Sequence, residues 1–138
     1  MKRVLVDTGP LVAILSERDQ YHRLCVDALR ELPGPLFSSW PVITEAAWLL
    51  RREARAVEQL LGSLGKGFVE LLPLGSVDAP AMAEIMKKYA DQRPQLADVS
   101  LVYLAQRDGF ESVFTLDQRD FSVYRGAKGK GFELVPRV

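Results

Sequence analysis

The chain contains 138 residues, of which 48% are hydrophobic and 26% are charged, and its 18 basic and 18 acidic residues give a net charge of zero. This length predicts one compact domain over residues 1–138, and the neutral balance gives no sign of the basic surface that drives unspecific nucleic-acid binding. The single cysteine, Cys25, excludes an intramolecular disulfide framework and Cys-based zinc clusters. No apolar stretch is long enough to span a membrane, so we expect a cytoplasmic protein.

The first predicted element is a buried parallel strand. Residues 3–6 (RVLV) form a short, unbroken, β-branched run that stops at the turn-forming residues 7–10 (DTGP), which places Asp7 at the carboxyl end of the strand. Two helices are predicted next, over residues 11–17 and 21–32, before the Pro-Gly-Pro of residues 33–35 breaks the chain.

The remaining elements continue this alternation. A β-branched or apolar run indicates a strand, whereas apolar residues at helical spacing between a capping residue and a glycine or proline indicate a helix. On these signals we predict strands over residues 36–38, 69–72, 112–116 and 132–135, and helices over residues 39–55, 56–64, 79–89 (capped by Asp78) and 96–107. Strands that alternate with helices predict an α/β fold with a mainly parallel central sheet covered on both faces.

Four acidic residues are expected at one edge of this sheet. Asp7 and Asp117 directly follow strands, and Glu45 and Asp98 lie near the starts of helices that leave the same edge, where open α/β sheets bind ligands. Clustered carboxylates are unfavourable unless a cation neutralises them, and hard oxygen ligands favour Mg²⁺ or Mn²⁺ over zinc. The pattern therefore predicts a metal site suited to phosphodiester cleavage, in which the metal activates water and neutralises charge on the attacked phosphate.

Each acid taken alone also fits a structural role. Near a helix start, Glu45 or Asp98 is more often a cap or a favourable charge for the helix dipole, and Asp117 fits the start of a turn equally well. Asp7, at the end of a buried strand, favours a functional role even by itself. The four acids together favour a shared site over four separate structural roles.

Four segments carry a resemblance to a known family: residues 4–8 (VLVDT), 44–46 (TEA), 96–98 (LAD) and 114–121 (FTLDQRDF). In this order they resemble the signature segments of PIN-domain proteins, and among these the chain is similar to the VapC toxins of toxin–antitoxin pairs. The likeness covers nearly the whole chain. It implies a three-layer α/β/α sandwich, a magnesium- or manganese-dependent endoribonuclease acting on RNA, a homodimer, and a cognate antitoxin as partner.

The resemblance also implies roles for particular residues. The positions that match the family's metal-site acids are Asp7, Glu45, Asp98 and Asp117. Thr8 and Thr115 match the adjacent polar positions. Asp120 is a candidate auxiliary acid, and an exposed turn residue is an equal alternative for it. Many relatives carry a further acid where this chain has Gln95, a departure that puts metal affinity in doubt more than the family assignment.

Basic and aromatic side chains flank the proposed site. Positive groups beside a metal site would position a phosphate backbone, and the predicted RNA-phosphate contacts are Arg51, Arg52, Arg119 and Arg125. The alternative is a solvated helix face and a mobile loop, which we favour for residues 128–131. Trp40 and Trp48 are predicted to be core residues, with an antitoxin or dimer surface as the alternative.

The sequence also raises three other functions. An aspartic protease, indicated by Asp7-Thr8-Gly9, needs an all-β fold that the helical periodicities contradict. A magnesium-dependent phosphatase or phosphotransferase with Asp7 as nucleophile usually has a second acid two residues later, where this chain has Gly9. A non-catalytic binding module with the same fold would leave its clustered carboxylates without a cation.

Overall fold

One sheet of five short strands forms the centre of the computed structural model, which describes residues 2–137. The strands are β1 (Val4–Val6), β2 (Leu36–Ser38), β3 (Val69–Leu71), β4 (Ser112–Phe114) and β5 (Glu133–Val135). Their order across the sheet is β3-β2-β1-β4-β5, and every pairing is parallel. The predicted mainly parallel sheet is confirmed, and among the described residues it is wholly parallel.

Helices fill the connections between successive strands. They are α1 (Thr8–Leu15), α2 (His22–Arg30), α3 (Trp40–Leu49), α4 (Ala54–Gly65), α5 (Ala79–Lys88), α6 (Leu96–Asp108) and α7 (Gln118–Phe121). The connections from β1 through β2 to β3 run one way across the sheet, and the connection from β3 to β4 runs back. Because such crossovers are right-handed, the reversal places helices on both faces and produces the expected three-layer sandwich.

The direction of winding changes between β1 and β4, which lie side by side at the centre of the sheet. Val6 pairs with Phe114, so the two strands end level with each other. The chain leaves β1 toward β2 and leaves β4 toward β5, which opens a crevice at the carboxyl ends of both strands. The Asp7 amide also donates to the Phe114 carbonyl at 2.9 Å, which holds this residue beside the end of β4.

The core supports this crevice from below. All residues of β1 and β4 are buried, and α6 contributes seven buried side chains, among them the expected set Leu101, Val102, Leu104 and Ala105. Cys25 is fully buried, as a small apolar residue of the core. Within residues 2–137, no helix is long and apolar enough to cross a membrane.

Several predicted boundaries were wrong. Helix α1 begins at Thr8 and not at residue 11, because the Asp7 carboxylate accepts a hydrogen bond from the Thr8 amide and caps the helix. The helix predicted over residues 39–55 ends at Leu49, and α4 starts at Ala54. At this break, Glu53 accepts hydrogen bonds from the Ser16 hydroxyl at 3.1 Å, which ties the bend to the end of α1.

Asp78 does not cap α5 through its side chain as predicted. Its carboxylate instead accepts hydrogen bonds from the Gly75 amide, the Tyr103 hydroxyl and the Arg107 guanidinium. This network joins the loop before α5 to α6, so Asp78 stabilises the packing of two elements.

Candidate active site

Four elements bring acidic side chains to the crevice between β1 and β4. Asp7 follows β1, Glu45 lies in α3, Asp98 is in the first turn of α6, and Asp117 directly precedes α7. All four, together with Asp120, line one open cavity of about 460 Å³. The sequence predicted that these acids lie at the same edge of the sheet, and the structure brings them together there.

Asp7 is the most deeply buried acid of the cavity, with 5% of its surface exposed. The Thr8 amide donates to its Oδ1 atom and the Thr115 hydroxyl donates to its Oδ2 atom, both at 2.8 Å. Burial, followed by the negative charge of Asp98, nevertheless raises the pKa of Asp7 to about 7. Its carboxylate is therefore held in a fixed orientation, and within residues 2–137 no basic side chain forms an ion pair with it.

Glu45 and Asp98 are half-buried beside Asp7. The Thr8 hydroxyl donates to Glu45 at 3.3 Å, and the backbone amide of Gln95 donates to Asp98 at 3.0 Å. Burial raises the pKa of both carboxyls, and the charge of Asp98 raises the pKa of Glu45 further. Asp98 acts in the same direction on Asp7 and Asp117, so it lies electrostatically at the centre of the cluster.

Asp117 and Asp120 form the outer side of the cluster. Although Asp117 is exposed as a whole residue, partial burial of its carboxyl and the neighbouring Asp120 raise its pKa to about 6. Asp120 also raises the pKa of Asp98, so it faces the cavity and not only the solvent. Thr115 is fully buried and accepts a hydrogen bond from the Asp117 amide at 2.9 Å while donating to Asp7, so one hydroxyl connects both strand-end acids.

Comparison with known proteins identifies the family of this chain. The profile of the PIN domain matches residues 4–127, which is most of the chain. The chain belongs to the PIN-domain family. This PIN-domain protein is 30% identical to Ribonuclease VapC26 of Mycobacterium tuberculosis over 135 residues, which cover 96% of this chain and 100% of the relative. The resemblance stated from the sequence motifs is thereby confirmed.

A solved structure supports the same fold. The crystal structure of Mycobacterium tuberculosis VapC20, described as a sarcin-ricin loop cleaving toxin, matches this PIN-domain protein with a TM-score of 0.77. The match covers 85% of this chain and 92% of that chain at 16% sequence identity. At this identity the likeness establishes the shared architecture and not the substrate.

The donor set of the cavity fits a hard divalent cation. Within residues 2–137, no lysine, arginine or histidine forms an ion pair with any of the four acids. Over the same residues, no group of three or more histidine, cysteine, aspartate or glutamate side chains lies close enough together to hold a metal ion without further ligands. Mg²⁺ keeps several water ligands and uses few protein carboxylates, so an open cluster of this kind suits it better than a closed cage.

The arginines predicted to contact RNA differ in how they are engaged. The Arg51 guanidinium stacks 3.9 Å from the centre of the Trp48 ring and donates to the Trp48 carbonyl. The Arg125 guanidinium donates to three consecutive carbonyls, those of residues 122–124. Arg52 and Arg119 are exposed. The contacts of these four arginines with RNA stay predictions.

One basic residue of the cavity was missed by the sequence analysis. Arg93 lines the same cavity as the acids, in the loop that leads into α6. The local signal was the Arg93-Pro94 dipeptide, which marks a constrained turn shortly before Asp98. That signal does not reveal which way the side chain points, because its direction depends on the tertiary contacts of the loop.

The prediction that Trp40 and Trp48 belong to the core was wrong. Their exposed fractions are 57% and 63%. The buried positions of α3 are Val42, Ile43 and Ala46, and residues 40, 44 and 48 form a stripe on the opposite side of the helix. Both tryptophans flank a second cavity that shares Glu45 and Gln95 with the acidic one.

Proposed function

We propose that this PIN-domain protein is a metal-dependent endoribonuclease that hydrolyses phosphodiester bonds in cytoplasmic RNA, as the toxin of a VapBC-type pair. The observation that carries the proposal is that four carboxylates, none of them in an ion pair within residues 2–137, line one cavity at the crevice between β1 and β4. The relationship to Ribonuclease VapC26 supports it, since that relative covers nearly the whole chain.

In this proposal, Asp7, Glu45, Asp98 and Asp117 hold Mg²⁺ or Mn²⁺ in the cavity. A bound divalent cation supplies charge neutralisation at the attacked phosphate and a nucleophile at neutral pH. Thr115 fixes the orientation of Asp7 and of the main chain at Asp117 through its two hydrogen bonds.

The other side chains of the cavity have supporting roles. Thr8 fixes Asp7 through its amide and Glu45 through its hydroxyl. Asp120, which lines the cavity next to Asp117, serves as an auxiliary acid. The backbone amide of Gln95 donates a hydrogen bond to Asp98. At the position of Gln95, many relatives carry a further acid.

The phosphotransferase alternative is disfavoured by the environment of Asp7. A carboxylate nucleophile needs an accessible oxygen aligned with the phosphorus atom. Both oxygens of Asp7 accept hydrogen bonds, and only 5% of the residue is exposed. Asp7 is therefore unsuited to attack a phosphate.

Cleavage of defined RNA in vitro tests the proposal. The purified protein is incubated with structured and single-stranded RNAs in Mg²⁺, in Mn²⁺ and in EDTA, and the products are mapped on denaturing gels. We expect internal cleavage with either metal and none in EDTA. The Asp98→Asn variant is the control for a contaminating nuclease, and cleavage that persists in this variant would contradict the assignment of the site.

Metal titration separates the enzyme from an inert binding module. A cation that binds the folded state alone raises the melting temperature with its concentration. We expect Mg²⁺ and Mn²⁺ to raise the melting temperature of the wild type, and to raise that of Asp98→Asn much less. Equal indifference of both proteins to the metals would favour the non-catalytic module.

The exposed tryptophan face is the surface that we assign to the proposed homodimer. Trp40, Trp48 and Leu96 are each more than half exposed, and they line one cavity on α3 and the start of α6. Light scattering tests this assignment, because Trp48→Ala is expected to shift a dimer toward the monomer. A wild type that stays monomeric at high concentration would contradict it.

We also propose a cognate antitoxin as partner, a segment of which fills a groove near the acidic cavity. Co-expression with the product of an adjacent small gene tests this partner. We expect a stable complex in which RNA cleavage is lower than in the free protein, and the absence of any complex would contradict the proposal.

A further inference from the structure

Arg93 occupies a distinctive place in the acidic cavity. Among the described residues that line this cavity it is the one basic side chain, and the lining acids are Asp7, Glu45, Asp98, Asp117 and Asp120. An arginine at this place has two possible partners, the carboxylates of the chain or an anion that enters the cavity. The local geometry distinguishes between them.

The backbone of Arg93 adopts a conformation that a side chain disfavours. Its φ and ψ angles are 50° and 53°, in the left-handed region where glycine is the favoured residue. Such strain persists where the surrounding structure determines it, and it is concentrated at functional sites. The conformation ends the short 3₁₀ helix Ala90–Gln92, and the side chain of Arg93 lies at the cavity.

Hydrogen bonds fix this backbone on both sides. The Arg93 amide donates to the Ala90 carbonyl at 3.0 Å, which closes the turn before it. After Pro94, the Gln95 amide donates to Asp98 at 3.0 Å, so the loop is anchored on one of the site acids. Residues 93–95 therefore connect the turn before Arg93 to Asp98, with a hydrogen bond at each end of this segment.

The Arg93 guanidinium is not used to neutralise the acids. Within residues 2–137 it forms no ion pair with a carboxylate, and the residue is exposed at the edge of the cavity. Arg51 and Arg125, in contrast, donate to carbonyls of the chain. Arg93 thus presents its donors to the opening through which a substrate must enter.

We propose that Arg93 binds a phosphate of the RNA substrate at the acidic cavity and positions the backbone for cleavage. This inference rests on the proposed ribonuclease function. A polyanion that approaches several carboxylates is repelled, and a guanidinium offers paired donors that match two phosphate oxygens. Because its backbone is fixed relative to Asp98, the arginine places the phosphate at a defined distance from the cation site.

The test compares two variants that are matched in charge and backbone. Arg93→Gly removes the guanidinium and relieves the left-handed strain. Lys128→Gly is the control, because within residues 2–137 Lys128 is the other non-glycine residue with a positive φ, at 57°, and it does not line the acidic cavity. Each variant loses one positive charge and gains a residue that its backbone favours, so neither is expected to unfold.

RNA binding is measured for both changes in the Asp7→Asn background, which blocks cleavage. The affinity for a single-stranded RNA is followed from about 50 to about 200 mM salt, because each phosphate contact contributes about 0.7 to the slope of log K against log salt. We expect Arg93→Gly to lower this slope by about 0.7 and Lys128→Gly to leave it unchanged. The melting temperature of Arg93→Gly is expected to equal or exceed that of its parent.

Cleavage by the single variants separates failure of this inference from failure of the proposed function. We expect Arg93→Gly to cleave RNA more slowly than Lys128→Gly, and Arg93→Lys to recover part of the loss. A wild type that cleaves RNA, with Arg93→Gly unchanged in rate and salt slope, would overturn the role of Arg93 alone. A wild type that neither binds nor cleaves RNA would overturn both.

Discussion

The pKa values of two buried aspartates of this protein are shifted in opposite directions. Asp7 is 5% exposed and Asp78 is 8% exposed. The Gly75 amide and the Tyr103 hydroxyl, with Arg107 at 3.4 Å, hold the pKa of Asp78 below its usual value. Asp7 also accepts two hydrogen bonds, but burial and the neighbouring Asp98 raise its pKa to about 7.

The difference between them is the charge of their surroundings. Asp78 completes a network in which donors and a guanidinium satisfy its carboxylate, so the folded chain favours the ionised form. Asp7 lies among further carboxylates, and within residues 2–137 no basic side chain forms an ion pair with it. Asp78 is thus satisfied by the chain itself, whereas in the proposed function the charge of Asp7 is compensated by a bound cation.

The largest expected effect is that of Asp7→Asn on activity. The change removes a proposed metal ligand and its negative charge, so RNA cleavage is expected to fall by roughly 100-fold or more. The Thr8 amide still has an oxygen acceptor in Asn, and the Thr115 hydroxyl is able to accept from the new amide group. Single-turnover cleavage rates at saturating Mg²⁺ measure the loss.

The free energy of unfolding of Asp7→Asn tests whether the charge of Asp7 is uncompensated in the folded chain. In the metal-free protein near pH 8, Asp7→Asn removes a buried charge, so the free energy of unfolding is expected to rise by on the order of 2 kcal/mol. Denaturant unfolding in EDTA measures this change. A variant that is both inactive and less stable than the wild type would mean that Asp7 is satisfied within the chain, as Asp78 is.

Thr115→Val is expected to have the second largest effect. Valine has nearly the same shape as threonine but neither donates to Asp7 nor accepts from the Asp117 amide. Loss of a residue that orients metal ligands typically costs about 10- to 100-fold in activity or metal affinity. Isothermal titration with Mn²⁺ and cleavage rates measure the two losses.

Thr115→Ser is the matched control, because it restores the hydroxyl and removes only a methyl group. Its metal affinity is expected to lie close to that of the wild type. If Thr115→Ser lost as much metal affinity as Thr115→Val, Thr115 would contribute through packing at the buried end of β4. Its hydrogen bonds would then make no contribution to metal binding.

The strand-end acids of the site were predictable because their signals are local. A β-branched run that stops at Asp7 defines both the strand and its carboxyl end, and the same pattern precedes Asp117. The alternation of strands and helices then places both ends at one edge of the sheet. Glu45 and Asp98 needed the further step that α3 and α6 pack next to that edge.

The features that the sequence did not predict depend on tertiary contacts. Helix α3 carries apolar residues on several sides, so periodicity leaves open whether Trp48 or Ala46 faces the core. The break after Leu49 contains no proline or glycine, and contact between Glu53 and Ser16 ties the bend to α1. The left-handed backbone of Arg93 lies in a loop that also contacts Asp98 through the Gln95 backbone amide, and no local sequence signal reveals either feature.

The pH dependence of the metal-free protein is the third prediction. The pKa of Asp7 is raised from 3.8 to about 7 and that of Asp117 to about 6, so the folded state binds more protons than the unfolded state between these values. Stability therefore falls as the pH rises from about 4 to about 7. Thermal unfolding in EDTA across this range measures the decline, which saturating Mg²⁺ is expected to reverse at neutral pH.

Asp7→Asn provides the control for the pH profile. If Asp7 dominates the decline, the variant is expected to show a flatter profile in EDTA than the wild type, and to respond less to Mg²⁺. An unchanged profile in the variant would assign the decline to the other acids of the cavity, Glu45, Asp98 and Asp117, whose pKa values are raised in the same direction.

Asp78→Asn is expected to have the smallest effect on cleavage and the opposite effect on stability. An asparagine cannot accept from all of Gly75, Tyr103 and Arg107, because its NH₂ group would face a donor. The melting temperature is therefore expected to fall while the cleavage rate stays unchanged.

The lowered pKa of Asp78 stabilises the folded state at pH values above 3.8, the pKa of an ordinary aspartate. This contribution is lost as the pH falls through the pKa of Asp78 in the folded protein. The deficit of Asp78→Asn should therefore shrink from about pH 5 to about pH 3, whereas the gain of Asp7→Asn should grow from about pH 4 to about pH 7. Two curves of the same sign would mean that a cation does not distinguish these aspartates, and that the acidic cavity is a structural network like the one around Asp78.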